Sequence, residues 1–339
     1  MHDRLLVAGT VQARPITREV LRLDAASAVR TVAEAIRDQV LRQLRRRGVV
    51  VGLSGGIDSS VTAALCVEAL GRERVFGVLM PERDSDPDSL TLGRHVADTL
   101  GIASVVEDIA PMLEAAGCYR RRDAFIQKAV PHYGPGWRCK VVLPGLSSGA
   151  AYNVSYLVVQ SPSGTSHRVR LSPEVYLGIV AATNMKQRTR KQIEYYHADR
   201  LNYAVAGTPN RLEYDQGFFV KNGDGMADLK PIAHLYKTQV YQLAEWLGLP
   251  EDIRTRPPTT DTWSLAQTQE EFYFALPHEL MDLCLYGLNH GFPAAALSGA
   301  TGLTPDRIEA VYRDIRAKRR ATRYLHAAPL LVENVAEVG

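Results

Sequence analysis

The 339-residue chain is short of several things, and each shortage closes a class of function. Its four cysteines, Cys66, Cys118, Cys139 and Cys284, include no C-x-x-C pair and no histidine at zinc-site spacing. A structural zinc site and a disulfide framework are therefore excluded, and the thiols read as buried or free in a reducing compartment. Charge of one sign is also lacking: 40 Lys and Arg against 37 Asp and Glu leave +3, too little to argue for nucleic acid. The short basic runs at 45–47, 120–122 and 318–320 read as solvated helix faces. No apolar run approaches the roughly eighteen residues of a membrane span, and no signal-type segment opens the chain, so a soluble, cytoplasmic protein without membrane partners is expected. Two common nucleotide signatures are missing as well, the G-x-x-x-x-G-K-[ST] phosphate loop and the G-x-G-x-x-G dinucleotide turn.

What is present is Ser54-Gly55-Gly56-Ile57-Asp58-Ser59-Ser60, placed between a strand-like run at 48–53 and an apolar-periodic run at 61–70. A strand that delivers a glycine turn onto a helix N-terminus builds an anion cradle from backbone N–H groups and the helix dipole. Gly52 ends the strand, Gly55 and Gly56 let the backbone approach a phosphate, and Ser54, Ser59 and Ser60 add hydroxyl donors. Asp58 would repel a phosphate unless a cation lay between them, so its presence implies Mg²⁺ arriving with a nucleotide triphosphate.

Around that loop the pattern predicts a leading helix at 25–46, strands at 48–53, 75–80 and 104–109, and helices at 59–70 and 89–100. Such alternation argues for an α/β fold, a doubly wound parallel sheet with helices on both faces. From 119 to 171 the chain is rich in Gly, Pro and Ser, with strand-like 152–160 and 166–170 flanking Pro162-Ser163-Gly164, which reads as a β-hairpin insertion. Helical periodicity resumes at 173–200, a strand is expected at 203–207, and helices at 235–247, 277–289 and 305–322. The stretch 254–269 reads as a mobile loop. The expected division is an N-terminal helical segment at 1–46, an α/β domain at 47–132 and 173–322, an insertion at 133–172 and a tail at 323–339.

The loop resembles the pyrophosphatase loop of the ATP-dependent adenylating superfamily that includes NAD synthetase, GMP synthetase, asparagine synthetase and some tRNA-modifying ligases. Three later segments select among them. Gly207-Thr208-Pro209-Asn210 with Glu213 is similar to the G-T-x-N-x-x-E element of NAD synthetase. The run Phe219-Val220-Lys221-Asn222-Gly223-Asp224-Gly225, with Asp228 and Pro231, resembles that family's T-K-Y-G-D-G-x-x-D-x-x-P. Leu235-Tyr236-Lys237-Thr238-Gln239-Val240 matches its L-Y-K-T-Q-V.

The resemblance implies the adenine nucleotide alpha hydrolase-like fold and an ammonia-dependent NAD synthetase that adenylates deamido-NAD, releasing AMP and pyrophosphate. It makes Asp58 and Glu213 the metal ligands, and Lys237 and Asp224 catalytic. It places ATP on Gly52, Ser54, Gly55, Gly56, Asp58, Ser59, Ser60, Met80, Arg188, Thr208 and Lys237. It places deamido-NAD on Asn184, Lys186, Lys221, Asp224 and Asp228, although the two turn aspartates could equally be local Asx caps. A homodimer is implied too. The stretch before the first strand is short for a glutaminase domain and His2 follows Met1, so free ammonia or a separate glutaminase subunit is expected to supply nitrogen. Three departures bear on the acceptor: the 133–170 insertion, the segment after Asp261, and Pro209, Arg211, Tyr214 and Asp215 around the G-T-x-N-x-x-E core. They leave open the same chemistry on another carboxylate. An RNA-modifying enzyme lacks its expected basic domain and cysteine pair, and a nucleotide sensor would not need both metal carboxylates.

Overall fold

The computed structural model describes residues 16–143, 155–259 and 262–335. The expectations for residues 1–15, including His2, for the start of the expected strand at 152–154, for Asp261 and for 336–339 lie outside these. Helix α1 (Ala25–Asp38) runs into a wider π turn and delivers the chain to β1 (Val49–Gly52), whose three valines are fully buried. Then come α2 (Ile57–Leu70), β2 (Val75–Leu79), α3 (Pro87–Leu100) and β3 (Ala103–Val106). Further on, α6 (Pro173–Leu201) returns the chain to β7 (Ala204–Ala206). All four strands are parallel in the order β3-β2-β1-β7.

Two hydrophobic cores show that both faces of this sheet are covered. Val49 and Val51 of β1 point into a core shared with α1, α2 and α8 (Lys237–Trp246), whereas Val50 points into a second core with Ile109, Leu113 and Ala198. The period-2 alternation of a strand divides one apolar run between two layers, which is why β1 is hydrophobic throughout.

Between β3 and α6 the structure departs from the sequence reading. Helix α4 (Ala110–Ala115) is followed by α5 (Cys118–Ala129), which occupies the start of the region expected to be irregular from residue 119. The inward face of α5 carries Tyr119, Arg122 and Ile126, and a buried arginine inside a basic run hides the apolar period. The insertion is a three-stranded antiparallel sheet rather than a hairpin: β4 (Arg138–Val142) precedes β5 (Tyr156–Gln160) and β6 (Ser166–Arg170). Its inner residues Cys139, Val141, Leu157 and Val159 share a core with Ile126 of α5 and with Val175 and Ile179 of α6. The stretch read as a mobile loop is tied to this sheet. Ser264 accepts from Arg138 Nε at 2.6 Å, the Cys139 N–H donates to Ser264 Oγ at 2.8 Å, and Lys140 Nζ meets Glu271 at 2.8 Å.

A fourth core joins α7 (Arg211–Gln216), α10 (His278–Asn289) and α12 (Pro305–Thr322) through Leu212, Met281, Leu285, Ile308 and Ile315. Short helices α9 (Glu251–Thr255) and α11 (Ser298–Thr301) complete the α-helices among the described residues.

The contact of α5 with α6 depends on Gly178, where an added Cβ would lie 2.3 Å from the Phe125 ring. Gly178→Ala is expected to lower stability by about 1–3 kcal/mol through overpacking. Urea denaturation measures this, and an unchanged midpoint would contradict the packing described.

Candidate active site

A cavity of about 800 Å³ lies where the turn after β1 (Ser54, Gly56, Asp58, Ser59) meets the turn after β7 (Thr208). The chain leaves β1 towards β2 on one side and takes up β7 on the other, so this is the topological switch point, the crevice where open α/β sheets bind ligands.

Gly55 makes the turn possible. Its φ is +69°, and a Cβ there would meet Leu92 Cβ at 2.7 Å and the Ser89 carbonyl at 2.8 Å. Ser59 and Ser60 donate to the Gly56 carbonyl at 2.9 Å each, and Ser54 N–H donates to Ser59 Oγ at 3.3 Å.

Three charges gather beside this turn. Asp58, in the first turn of α2, accepts a short bond from Lys237 Nζ through Oδ2 and one from Asn210 Nδ2 at 3.1 Å through Oδ1. Asn210 is the N-cap of α7, and Glu213 closes a capping box with it, accepting from the Asn210 N–H at 3.0 Å and from Gln269 Nε2 at 2.9 Å. Glu213 therefore serves its helix as well as facing the cavity. Its carboxyl is raised above the ordinary carboxylate range by burial and then by Asp58, with Lys237 pulling the other way. Burial works against the Lys237 ammonium, but Asp58 and Glu213 outweigh it and hold it above the usual lysine value.

Lys237 is the first residue of α8, and α8 is anchored from outside. Asp282 on α10 accepts from Lys237 N–H at 3.3 Å, Thr238 N–H at 2.7 Å and Thr238 Oγ1 at 2.6 Å. Burial pushes the Asp282 carboxyl up to about 6.

Other expected residues share the cavity. Asn184 and Arg188 reach it from α6, with Arg188 Nε donating to the Lys221 carbonyl at 3.2 Å. Asp224 lines it, accepting from Val220 N–H at 2.7 Å, and burial raises its carboxyl. Lys221 lines it too, but its Nζ is bound to the Tyr324 carbonyl at 2.8 Å, so the stretch expected as a tail helps to wall the site. Lys318 donates to the Tyr273 carbonyl at 2.7 Å along the same wall.

Six expected residues stand apart from the lining. Gly52, Gly55 and Ser60 shape the turn from behind. The Met80 carbonyl accepts from Arg190 Nε at 3.4 Å, outside the cavity. Asp228 pins the edge of β7, taking the Val205 N–H at 2.7 Å and the Tyr195 hydroxyl at 3.1 Å. Lys186 is fully buried, its Nζ held by Glu82 at 2.9 Å, Asp84 at 2.7 Å and the Thr262 carbonyl at 2.8 Å, which leaves it nothing to offer a substrate.

The residues that vary around the G-T-x-N-x-x-E core are mostly used in packing. The Arg211 guanidinium lies 4.9 Å over the Tyr236 ring, Asp215 pairs with Arg319 at 2.6 Å, and Tyr214 stacks against Phe219 at 6.1 Å. Asn210, Gln269 and Asp282 hold the charged groups in place, and the sequence reading gave them no role. For Asn210 the signal was available, since N-x-x-E is the spacing of a capping box.

Comparison with known proteins gives the site a family. The NAD synthase family model matches residues 28–130 and 166–321. The chain belongs to the NAD synthase family. The NH(3)-dependent NAD(+) synthetases of Rhizobium rhizogenes and Rhizobium meliloti are each 63% identical to it over 320 residues, covering 94% of this chain and 96% of theirs. Among solved structures, the NMN synthetase of Francisella tularensis aligns with a TM-score of 0.62 at 20% identity, over 91% of this chain and 99% of that one. The NH3-dependent NAD synthetase of Campylobacter jejuni aligns with a TM-score of 0.59 at 21% identity, over 92% and 100%. At that identity the two structures speak for the fold alone. Strands β4 and β5 fall between the matched ranges of the NAD synthase model, so most of the inserted sheet lies outside the part of the chain that the family model describes.

Placing Lys186 in a buried ion cluster gives a direct test. Lys186→Met would leave Glu82 and Asp84 buried without their cation, and is expected to cost about 3–5 kcal/mol of stability. A variant with wild-type stability in urea and a weakened substrate affinity would contradict that placement.

Proposed function

We propose that the chain is an ammonia-dependent NAD synthetase, a carbon–nitrogen ligase that uses ATP to adenylate the nicotinate carboxylate of deamido-NAD and ammonia to convert it to the amide. The observation that carries this reading is the cluster of Asp58, Lys237 and Glu213 at the switch point, in a chain 63% identical over 320 residues to an NH(3)-dependent NAD(+) synthetase.

The chemistry asks the protein to hold two anions in line. A carboxylate oxygen of deamido-NAD forms a bond to the α-phosphorus of ATP, and the bond to pyrophosphate breaks. Ammonia then attacks the acyl carbon, loses a proton, and AMP leaves with that oxygen. Ser54, Ser59 and the Gly56 N–H border the pyrophosphate end at the start of α2, where the helix dipole favours negative charge. Lys237, held high by its two carboxylates, keeps its proton and stabilises the departing pyrophosphate. From α6 Arg188 serves ATP and Asn184 the second substrate, and Asp224 shapes the turn beside them.

Asp58 and Glu213 fit a divalent cation: two hard oxygen donors repel one another beside a phosphate cradle, and together they would hold Mg²⁺, a hard cation that takes oxygen ligands. When bound there, Mg²⁺ would neutralise charge on the phosphates. No helix among the described residues is long and apolar enough to cross a membrane. A cytoplasmic homodimer completes the proposal.

Purified protein supplied with deamido-NAD, ATP, Mg²⁺ and ammonium is expected to form NAD with one AMP and one pyrophosphate per turnover. Asp58→Ala is expected to reduce the rate by about 10²-fold or more. Absence of NAD alongside AMP release on another acid would overturn the choice of acceptor.

The raised Glu213 carboxyl adds a pH-dependent signature. Between the ordinary carboxylate range and its raised value, the free protein keeps a proton that a bound cation expels. Mg²⁺–ATP binding should therefore release protons and tighten as pH rises through that window. Calorimetry in buffers of different ionisation enthalpy measures the release, and Glu213→Gln is expected to abolish it. Equal release from both proteins would contradict the assignment.

A further inference from the structure

The cations of the cavity wall are nearly all engaged within the protein. Lys237 binds Asp58, Lys318 pairs with Asp314 at 2.7 Å, and Lys221 is held by the Tyr324 carbonyl at 2.8 Å. Arg256 binds Asp86 at 3.1 Å and Ser89 at 3.0 Å, and Arg188 donates to a carbonyl. Arg170 differs. It lines the cavity, and its guanidinium has no hydrogen-bond, ion-pair or ring partner among the described residues.

Its position is set by the inserted sheet. Arg170 ends β6, paired in register with Tyr156 of β5, and the same end of the sheet brings Leu143 and Leu171 to the cavity. The sheet cannot drift, because its inner face is packed on α5 and α6 and β4 is hydrogen-bonded to residues 264–271. Beside it Trp263 lines the cavity while being buried, and its indole N–H has no acceptor among the described residues. A packed sheet thus carries to this wall a cation that, like the indole N–H beside it, has no partner among the described residues. An arginine fork presents paired N–H groups that match phosphate oxygens.

We propose that Arg170 is a specificity-determining residue that binds a phosphate of the second, dinucleotide substrate, making the inserted sheet part of the acceptor site. This rests on the reading of the chain as an NAD synthetase. The nicotinate carboxylate must reach the ATP phosphates beside Asp58 and Lys237. The sheet end is a separate part of the wall, available to the remainder of the acceptor, which carries the diphosphate. ATP, gathered at the cradle, does not need Arg170.

The test compares wild type with Arg170→Ala and Arg170→Lys in steady state, varying deamido-NAD and ATP separately. NAD formation by the wild type is established first, and its failure would refute the activity itself rather than the role of Arg170. With an active wild type, Arg170→Ala is expected to raise KM for deamido-NAD at least tenfold, with KM for ATP within twofold, while Arg170→Lys recovers part of the loss. Titration of deamido-NAD without ATP should show the same order of affinities. A KM for deamido-NAD within twofold of wild type, or equal rises for both substrates, would overturn the proposal. Arg170 is exposed at a strand end, so thermal unfolding of both variants should match wild type, and a lowered midpoint would itself count as a structural role and against the proposal.

Discussion

The structure turns on one buried ammonium. Lys237 is almost wholly withdrawn from water, and a charge in that position is sustained only by opposite charge and hydrogen bonds close at hand. Asp58 arrives from the turn after β1, Glu213 from the helix after β7, and the backbone of Lys237 itself is fixed by Asp282 from α10. The neutralisation of one side chain thereby ties the parallel sheet to the C-terminal helices. Two carboxylates against one ammonium leave a surplus of negative charge, and the Glu213 carboxyl is raised first by burial and then by that surplus, through Asp58.

The order β3-β2-β1-β7 makes such a meeting possible. At a switch point neighbouring connections diverge to opposite faces of the sheet, leaving a cleft that no loop crosses. Here the cleft is bounded by a glycine turn on one side and a capped helix on the other. The Asn210 side chain bridges them, accepting from its own helix and donating to Asp58. Around this rigid centre the outer wall is assembled from parts distant in the chain: the inserted sheet, residues 262–274 and the segment near Tyr324.

Much of the centre was legible in the sequence because local pattern determines it. Val49 to Val51 between a basic stretch and a glycine turn read as a buried strand, and the glycine and serine spacing read as an anion cradle. The outer wall was less legible because long-range pairing determines it. Strand β4 alternates Arg138 and Lys140 with Cys139 and Val141, too short a signal to separate from loop until β5 is seen beside it. Lys186 shows the limit most clearly. Helical spacing tells which residues share a face of α6, but not that Glu82 and Asp84, a hundred positions earlier, occupy that face and claim the lysine. Asp282 was invisible for a similar reason, since it caps a helix to which it does not belong.

The central claim is that this charge cluster serves cleavage of ATP between its α- and β-phosphates by a carboxylate. The most direct measurement uses deamido-NAD labelled with ¹⁸O in its nicotinate carboxylate, with mass analysis of the phosphorus products. The account predicts one labelled oxygen in AMP and none in pyrophosphate. Label in orthophosphate, or formation of ADP in place of AMP, would contradict it.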